Sequence, residues 1–370
     1  VSDTKTFLIT GVSTGLGRAL ARAALAAGHR VVGTVRTPAD VHAFEALAGD
    51  AHARILDVTD HDAVDTVVDE TERDLGPVDV LVANAGYGHD GLFEESSMDD
   101  LRRQFEVNVY GTVAVIKAVL PHMRKRRSGH IIAVTSMGGL ITMPGLSFYH
   151  GSKFAVEGIL ETLGKEVAGF GIHVTAVEPG SFRTDWAGRS MIRAPRVIAD
   201  YDELFEPLRA RRIHGSGHQP GDPDKAAAAV LRIVAADQPP TRLLLGTDAL
   251  RLVQAGRDAF EREMVTWAQL SGPQRGASRR PSSPGRPPLG PPQPDLLVAV
   301  HATQRLHRDT DPLGGDGGRI AVLGDWRFGS AIKGARARST CASPTRERTP
   351  RTPPSFCRPR RPGRPTGTSS

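Results

Sequence analysis

Seven short runs rich in Val, Ile and Leu, at residues 6–10, 30–35, 53–57, 78–83, 130–135, 173–178 and 242–245, are separated by amphipathic stretches long enough to be helices. The runs show little apolar–polar alternation, the mark of strands covered on both faces. Strands taking turns with helices build βαβ units and a parallel sheet. The pattern predicts helices over 16–27, 39–48, 61–75, 98–126, 148–170, 223–236 and 249–270. The chain is therefore read as α/β, with one doubly wound, seven-stranded parallel sheet and helices on both faces across residues 1–271. The strand at 6–10 leaves no room for a signal-peptide reading there.

From residue 272 the pattern breaks into Pro, Arg, Gly, Ser and Thr, with apolar islands only at 296–300 and 320–323. Such a composition buries too little apolar surface to offset the entropy of ordering, so 272–370 is expected to be a mostly disordered tail. It also resembles an out-of-frame reading of a GC-rich gene, which mass spectrometry of the native protein would settle. Charge divides at the same place. Residues 275–370 hold 18 Lys+Arg and 6 Asp+Glu, leaving 29 basic and 35 acidic residues in 1–274, so the overall +6 averages two unlike segments. An acidic body is poorly suited to nucleic acid. The body has no cysteine, since Cys341 and Cys357 both lie in the tail. That excludes a thiol nucleophile or Cys-based metal site in the body and suits a reducing, cytoplasmic compartment. No run of about 18 apolar residues suggests a membrane span, and no His/Asp/Glu cluster has metal-ligand spacing.

The first strand runs into Thr10-Gly-Val-Ser-Thr-Gly-Leu-Gly17. Between a strand and a helix, a loop with Gly11, Gly15 and Gly17 lets backbone amides of Ser13, Thr14 and Leu16 and the helix N-terminus approach a pyrophosphate. An ordinary turn is the bland alternative, and the flanking strand and helix argue against it. An acidic residue at the end of the second strand would hold a ribose 2′-OH, and an Arg a 2′-phosphate. The strand ends Val31-Val-Gly-Thr-Val-Arg36, with Arg36 19 positions beyond Gly17 and no acid among them. Arg36, with the Ser13 hydroxyl, points to NADP(H) rather than NAD(H), although a solvated arginine is the commoner fate.

Tyr149-His-Gly-Ser-Lys153 puts Tyr and Lys at i and i+4, on one helix face. A neighbouring ammonium would lower the phenol pKa towards a useful range for proton transfer. Alone this spacing is common by chance. Ser136, 13 residues upstream at a strand's carboxyl end, can reach the same substrate oxygen.

Taken in order, Thr10–Gly17 as TGxxxGxG, Asn84-Ala85-Gly86, Ser136, Tyr149-x-x-x-Lys153 and Pro179-Gly180 resemble the short-chain dehydrogenase/reductase family, non-extended branch, over residues 4 to about 270. YHGSKFAVEGILE at 149–161 and GIHVTAVEPG at 171–180 are most similar to carbonyl reductases near the hydroxysteroid and retinol dehydrogenases. The resemblance implies a Rossmann-type fold and an NAD(P)-dependent oxidoreductase interconverting a hydrophobic carbonyl compound and its alcohol. It gives Tyr149 as general acid/base, Lys153 as its pKa-lowering partner and ribose ligand, Ser136 as the group polarising the carbonyl, and Asn108 as the holder of a relay water. Asp57 and Val58 would lie by the adenine. Asn84, Ala85 and Gly86 would line the cofactor floor, with Pro179, Gly180 and Thr184 at the nicotinamide. Residues 182–213 would form a substrate lid, with Met143, Phe182 and Trp186 touching substrate. A homodimer or homotetramer pairing through the helices near Met98 and Phe148 is implied as well. Ala83 departs from the family's usual second Asn.

Weaker signals have bland readings. His150 is read as packing, His89 as a solvated loop residue, and the basic run after His122 as complementing a helix C-terminus. Competing functions are a catalytically silent NADP(H)-binding sensor or scaffold, and a nucleic-acid-associated protein acting through the basic tail. Both Tyr149 and Lys153 are present, against the first, and the tail lacks interleaved aromatics, against the second.

Overall fold

In the computed structural model, which describes residues 4–272 and 321–322, the central sheet runs β3-β2-β1-β4-β6-β7-β9 with every strand parallel. The strands are β1 Thr6–Thr10, β2 Arg30–Val35, β3 Asp50–Ile55, β4 Val80–Ala83, β6 Gly129–Val134, β7 Ile172–Pro179 and β9 Arg242–Leu245. At the outer edge the two residues Ala321–Val322 pair antiparallel with β9 as β10. The rest of the 272–370 reading, and both cysteines, lie outside the described residues.

The two-sided burial expected of the strands has a direct cause. On β1, Phe7 and Ile9 enter one core and Leu8 enters the other. The first core takes helices α1 Gly15–Ala26, α2 Pro38–Glu45 and α8 Pro223–Val234; the second takes α3 His61–Asp74, α5 Thr112–Arg126 and α6 Ser147–Val167. Each fully buried Leu, Ile or Phe contributes roughly 1.5–3 kcal/mol, so neither face can be left bare. The basic run after His122 turns to α3, with Arg126 bonding Glu72 at 3.0 Å and His122 meeting Asp69 at 3.1 Å. Among the described residues no helix is long and apolar enough to cross a membrane.

Several boundaries differ from the sequence expectation. β3 starts at Asp50, which bonds Arg30 and His52, so Asp57 falls in the following turn. As an edge strand it exposes polar residues that hid it. The helix expected over 98–126 is three pieces: α4 Met98–Phe105, a π-helical segment Glu106–Gly111, and α5. A Cβ on Gly111 would stand 2.6 Å from Val58, so the segment lies tight against the turn after β3. π segments gather at functional sites, and this one carries Asn108.

The region 182–213 also holds more structure than a loop. β8 Met191–Arg193 pairs in parallel with β5 Gly88–Asp90 as a separate small sheet, and α7 Asp202–His214 follows. The remaining helix, α9 Thr247–Ser271, follows β9.

Candidate active site

The Gly-rich loop is held by what comes after β4. Thr10 Oγ1 accepts from the Asn84 and Ala85 amides, both at 2.9 Å, and Asn84 Nδ2 donates to the Thr10 and Gly11 carbonyls at 2.9 and 3.0 Å. Gly11 has a left-handed φ of 73°, and a Cβ on Gly17 would stand 2.4 Å from Asn84 Nδ2. Two of the three glycines are thus demanded by the clamp itself. Asn84 is spent on the loop, so its part in a cofactor floor is indirect.

Beyond the loop, α1 begins at Gly15 with no side-chain cap from Thr14 and no acid in its first turn. Its first amides are therefore open to an anion. A cleft of about 510 Å³ lies there, between Gly15, Arg18 and Ala19 on one side and Arg183 and Thr184 on the other. Ser13 and Leu16 flank this turn, half-buried. Arg36 is exposed at the end of β2 and takes no partner among the described residues. Asp57 is exposed, with Oδ1 accepting from the Thr59 amide and hydroxyl, while Val58 is buried against Gly111. Gly180 follows Pro179 where a Cβ would collide with Asp248, whose Oδ2 accepts from the Ser181 amide at 2.8 Å.

At the carboxyl ends of β6 and β4 the expected catalytic groups come together. Ser136 caps the turn Met137–Gly139, its Oγ accepting from the Gly138 amide at 2.9 Å, and its hydroxyl is near enough to the Tyr149 phenol to ease its ionisation. Lys153 is buried; its Nζ donates to the Val134 carbonyl at 2.9 Å and lies 5.9 Å from the Tyr149 ring centre. Asn108 Oδ1 accepts from the Tyr87 amide at 3.1 Å, and its Nδ2 donates to Tyr87 O and, at 3.2 Å, to Ser152 Oγ. A Cβ on Gly86 would stand 3.1 Å from Asn108 Oδ1 and 3.8 Å from Lys153 Nζ, so Gly86 roofs both.

Two further residues hold this group together. Ser152 donates to the Tyr149 carbonyl at 2.7 Å, linking Asn108 to the turn that carries the phenol. The only sequence signal for it was its place before Lys153. His150 is buried, with Nδ1 donating to Gly138 O at 2.8 Å and Nε2 accepting from the Met143 amide at 2.9 Å. Burial holds its pKa down, so it stays neutral and fixes the 138–143 loop beside Ser136.

Other expectations are corrected. Tyr149 is not eased towards ionisation by its lysine: burial pushes the phenol up to about 12, and the nearby Ser136 hydroxyl recovers only part of that. Lys153 is itself pushed down to about 8 by burial, with Glu157 partly restoring it. Desolvation outweighs the pair's attraction. His89 is not solvated but 2 % exposed in β5, stacked on Phe148 at 5.4 Å, and burial lowers its pKa. Phe182 is not at the catalytic pocket; its ring packs on Gly221 in the first core. Trp186, Met143, Leu146 and Met191 do wall the Tyr149 ring, with Trp186 5.1 Å from it. Thr184 lies on the Gly-rich loop, its Cβ 3.8 Å from where a Cβ of Gly15 would be.

Ser136 and Tyr149 thus offer two hydroxyls to one oxygen against an apolar wall, a setting in which developing negative charge on that oxygen is stabilised.

The comparisons agree with this geometry. A family model described as short chain dehydrogenase matches residues 5–192. Oxidoreductase BOA17 of Botryotinia fuckeliana is 40% identical over 270 residues, covering 72% of this chain and 98% of that protein. The 3-ketodihydrosphingosine reductase of Bacteroides thetaiotaomicron is 38% identical over 241 residues, covering 65% and 87%. A crystal structure of a short-chain dehydrogenase from Streptomyces avermitilis superposes with a TM-score of 0.67 at 39% identity, covering 73% of this chain and 98% of that one. With fold, motif order and relatives in agreement, the chain belongs to the short-chain dehydrogenase family and is an oxidoreductase of the alcohol–carbonyl interconversion with a fold that binds a nicotinamide cofactor.

Proposed function

We propose that the protein reduces hydrophobic ketones and aldehydes with NADPH, or oxidises the corresponding alcohols with NADP⁺. The observation that carries this reading is the apolar wall of Met143, Leu146, Trp186 and Met191 packed around Tyr149, beside the Ser136 hydroxyl. The Bacteroides relative, named for a sphingoid ketone, points the same way.

The residues present fit a dinucleotide. Gly11, Gly15 and Gly17 with the open amides of α1 would take the pyrophosphate. Asp57 and Val58 would flank the adenine, Gly86, Lys153 and Thr184 the nicotinamide half. The cofactor supplies the hydride. Ser136 and Tyr149 hold the carbonyl oxygen; Tyr149, protonated at neutral pH, gives it the proton. Lys153 would bond the ribose and, with Asn108, would lead to the next proton.

Arg36 sets the preference for NADP(H) over NAD(H), being exposed, unpartnered and free of a competing acid on β2. A charge-assisted bond to a 2′-phosphate contributes about 1.5–3 kcal/mol. Arg36→Ala should therefore weaken NADPH binding roughly 10- to 100-fold and leave NADH binding unchanged, as read by titrating each cofactor. Equal losses for both would remove the 2′-phosphate role.

The proposal extends to assembly and place. Met98, Tyr110, Phe154 and Ile159 are exposed on α4, the π segment and α6, a face suited to a homodimer or homotetramer. The cysteine-free body suits the cytoplasm. A panel of aliphatic and aromatic ketones and aldehydes, followed by loss of NADPH absorbance, tests the function. The expected result is turnover that improves with the apolar size of the substrate; NADPH binding with no consumption across the panel would remove it.

A further inference from the structure

Two glutamates that the proposed reaction does not use lie buried beside the catalytic groups. Glu178 is fully buried at the end of β7, directly before Pro179–Gly180. Glu157 is 4 % exposed on α6, one turn beyond Lys153. A Cβ on Gly139 would stand 2.9 Å from its Cγ, so the turn that follows Ser136 packs directly on it. The two carboxyls therefore touch all three segments that carry Ser136, Lys153 and the Pro-Gly turn.

Among the described residues, one cation answers both of them at close range. Arg242 Nε, at the start of β9, is 3.3 Å from Glu157 Oε2 and 3.4 Å from Glu178 Oε1, and its Nη2 bonds Glu161 at 3.0 Å. Oε1 of Glu157 and both oxygens of Glu178 are buried with no hydrogen-bond partner among the described residues. The nearby Thr135 hydroxyl gives its proton to the Val177 carbonyl at 3.1 Å. The charged groups facing the pair are Lys153 and Glu161 from α6, Arg242 from β9 and Arg257 from α9. Two full carboxylates with three orphan oxygens would be too costly to bury against one shared guanidinium. A single proton held between them supplies the missing donor and removes the like-charge repulsion.

We propose that Glu157 and Glu178 hold one proton between them and present a single negative charge one turn beyond Lys153, making Glu157 a positioning residue that keeps the Lys153 amine charged. Burial and the Glu157 charge push Glu178 up to about 9, and burial raises Glu157 as well, so one proton stays with the pair through neutral pH. Glu157 is then the charge that opposes desolvation at Lys153. The consequence for turnover rests on the proposed pairing of Lys153 with Tyr149, but the charge on Lys153 can be read without turnover.

The test is lysine-selective ¹⁵Nζ NMR of the full chain across pH, with Lys153→Arg to assign the resonance, alongside Tm against pH. In Glu157→Gln the Lys153 midpoint should fall by about one pH unit or more, the size of shift a nearby opposite charge produces. In Glu178→Gln the midpoint should stay, since the one charge remains on Glu157. The same variant tests the shared proton. With its folded pKa raised from 4.5 to about 9, Glu178 binds a proton in the folded chain that the unfolded chain has released, so stability falls as pH rises through that window. Glu178→Gln should flatten this fall in Tm. An unmoved Lys153 midpoint in Glu157→Gln, or an unchanged Tm slope in Glu178→Gln, overturns the proposal. Should Glu157→Gln not fold, the slope in Glu178→Gln decides alone. Intact Lys153 titration with no turnover would instead fault the assigned function.

Discussion

Tyr149→Phe should lose turnover by about 10²- to 10⁴-fold, the range general acid–base groups contribute, while NADPH binding stays close to wild type. The ring is buried against Trp186, Leu146 and Met191, and phenylalanine keeps all of that packing. Only the hydroxyl goes, and Ser136 keeps its bond from the Gly138 amide. With its pKa pushed up to about 12, the phenol is protonated throughout the neutral range, which is the state a proton donor for carbonyl reduction needs. The sign is specific: burial favours the reduction-ready form, and oxidation needs the phenol proton to leave as the alcohol is bound. Steady-state kinetics on the best substrate of the panel, with cofactor titration by fluorescence, separate chemistry from binding. A variant retaining more than about a tenth of the rate contradicts the assignment.

The second large effect is expected at Asp90, which no motif includes. Its carboxylate is fully buried in β5 and bonds Arg212 of α7 at 2.7 Å, with Arg193 of β8 at 3.8 Å. Arg212 also reaches the Pro144 carbonyl and lies over the Phe205 ring. One acid thus ties α7, β8 and the loop before Tyr149 together. Asp90→Ala leaves two partly buried guanidinium groups without a counter-charge and should cost about 3–5 kcal/mol, the usual result of breaking one side of a buried pair. Thermal unfolding should show the loss. Hydrogen exchange should show α7 opening first, and KM for apolar ketones should rise more than kcat falls. Unchanged Tm and unchanged exchange over 202–214 would show that the lid is held by its apolar contacts instead.

What the sequence made legible follows from which forces act locally. The sheet order's raw material, seven apolar strands, was readable because both faces of each strand are buried, as Phe7, Leu8 and Ile9 show. The Gly loop, Ser136, Tyr149 and Lys153 were readable from spacings on strand ends and one helix face, whereas Asn108 came from the family resemblance alone, its Ser152 partner lying 44 residues away in the chain. The lid was not readable. β5 and β8 are three residues each and are held by pairing 100 residues apart in the chain, which no local pattern reports. α7 was missed although Asp202 and Glu203 in its first turn and Arg211 and Arg212 in its last turn complement the helix dipole. Phe182 was assigned to substrate because it follows the Pro-Gly turn; its ring instead fills the space over Gly221. The expected lowering of the Tyr149 pKa failed because burial, invisible in spacing alone, dominates both members of the pair.

Hydride delivery to a carbonyl carbon at the Ser136–Tyr149 site is the step on which the proposed function rests. To follow it, the protein is incubated with NADPH carrying deuterium at both C4 positions of the nicotinamide and a long-chain ketone, and the label is located by mass spectrometry. The expected result is one deuterium on the carbinol carbon of the product, and none when Tyr149→Phe replaces the wild type. Bound NADPH whose label never leaves the nicotinamide, across ketones and aldehydes alike, would contradict the account.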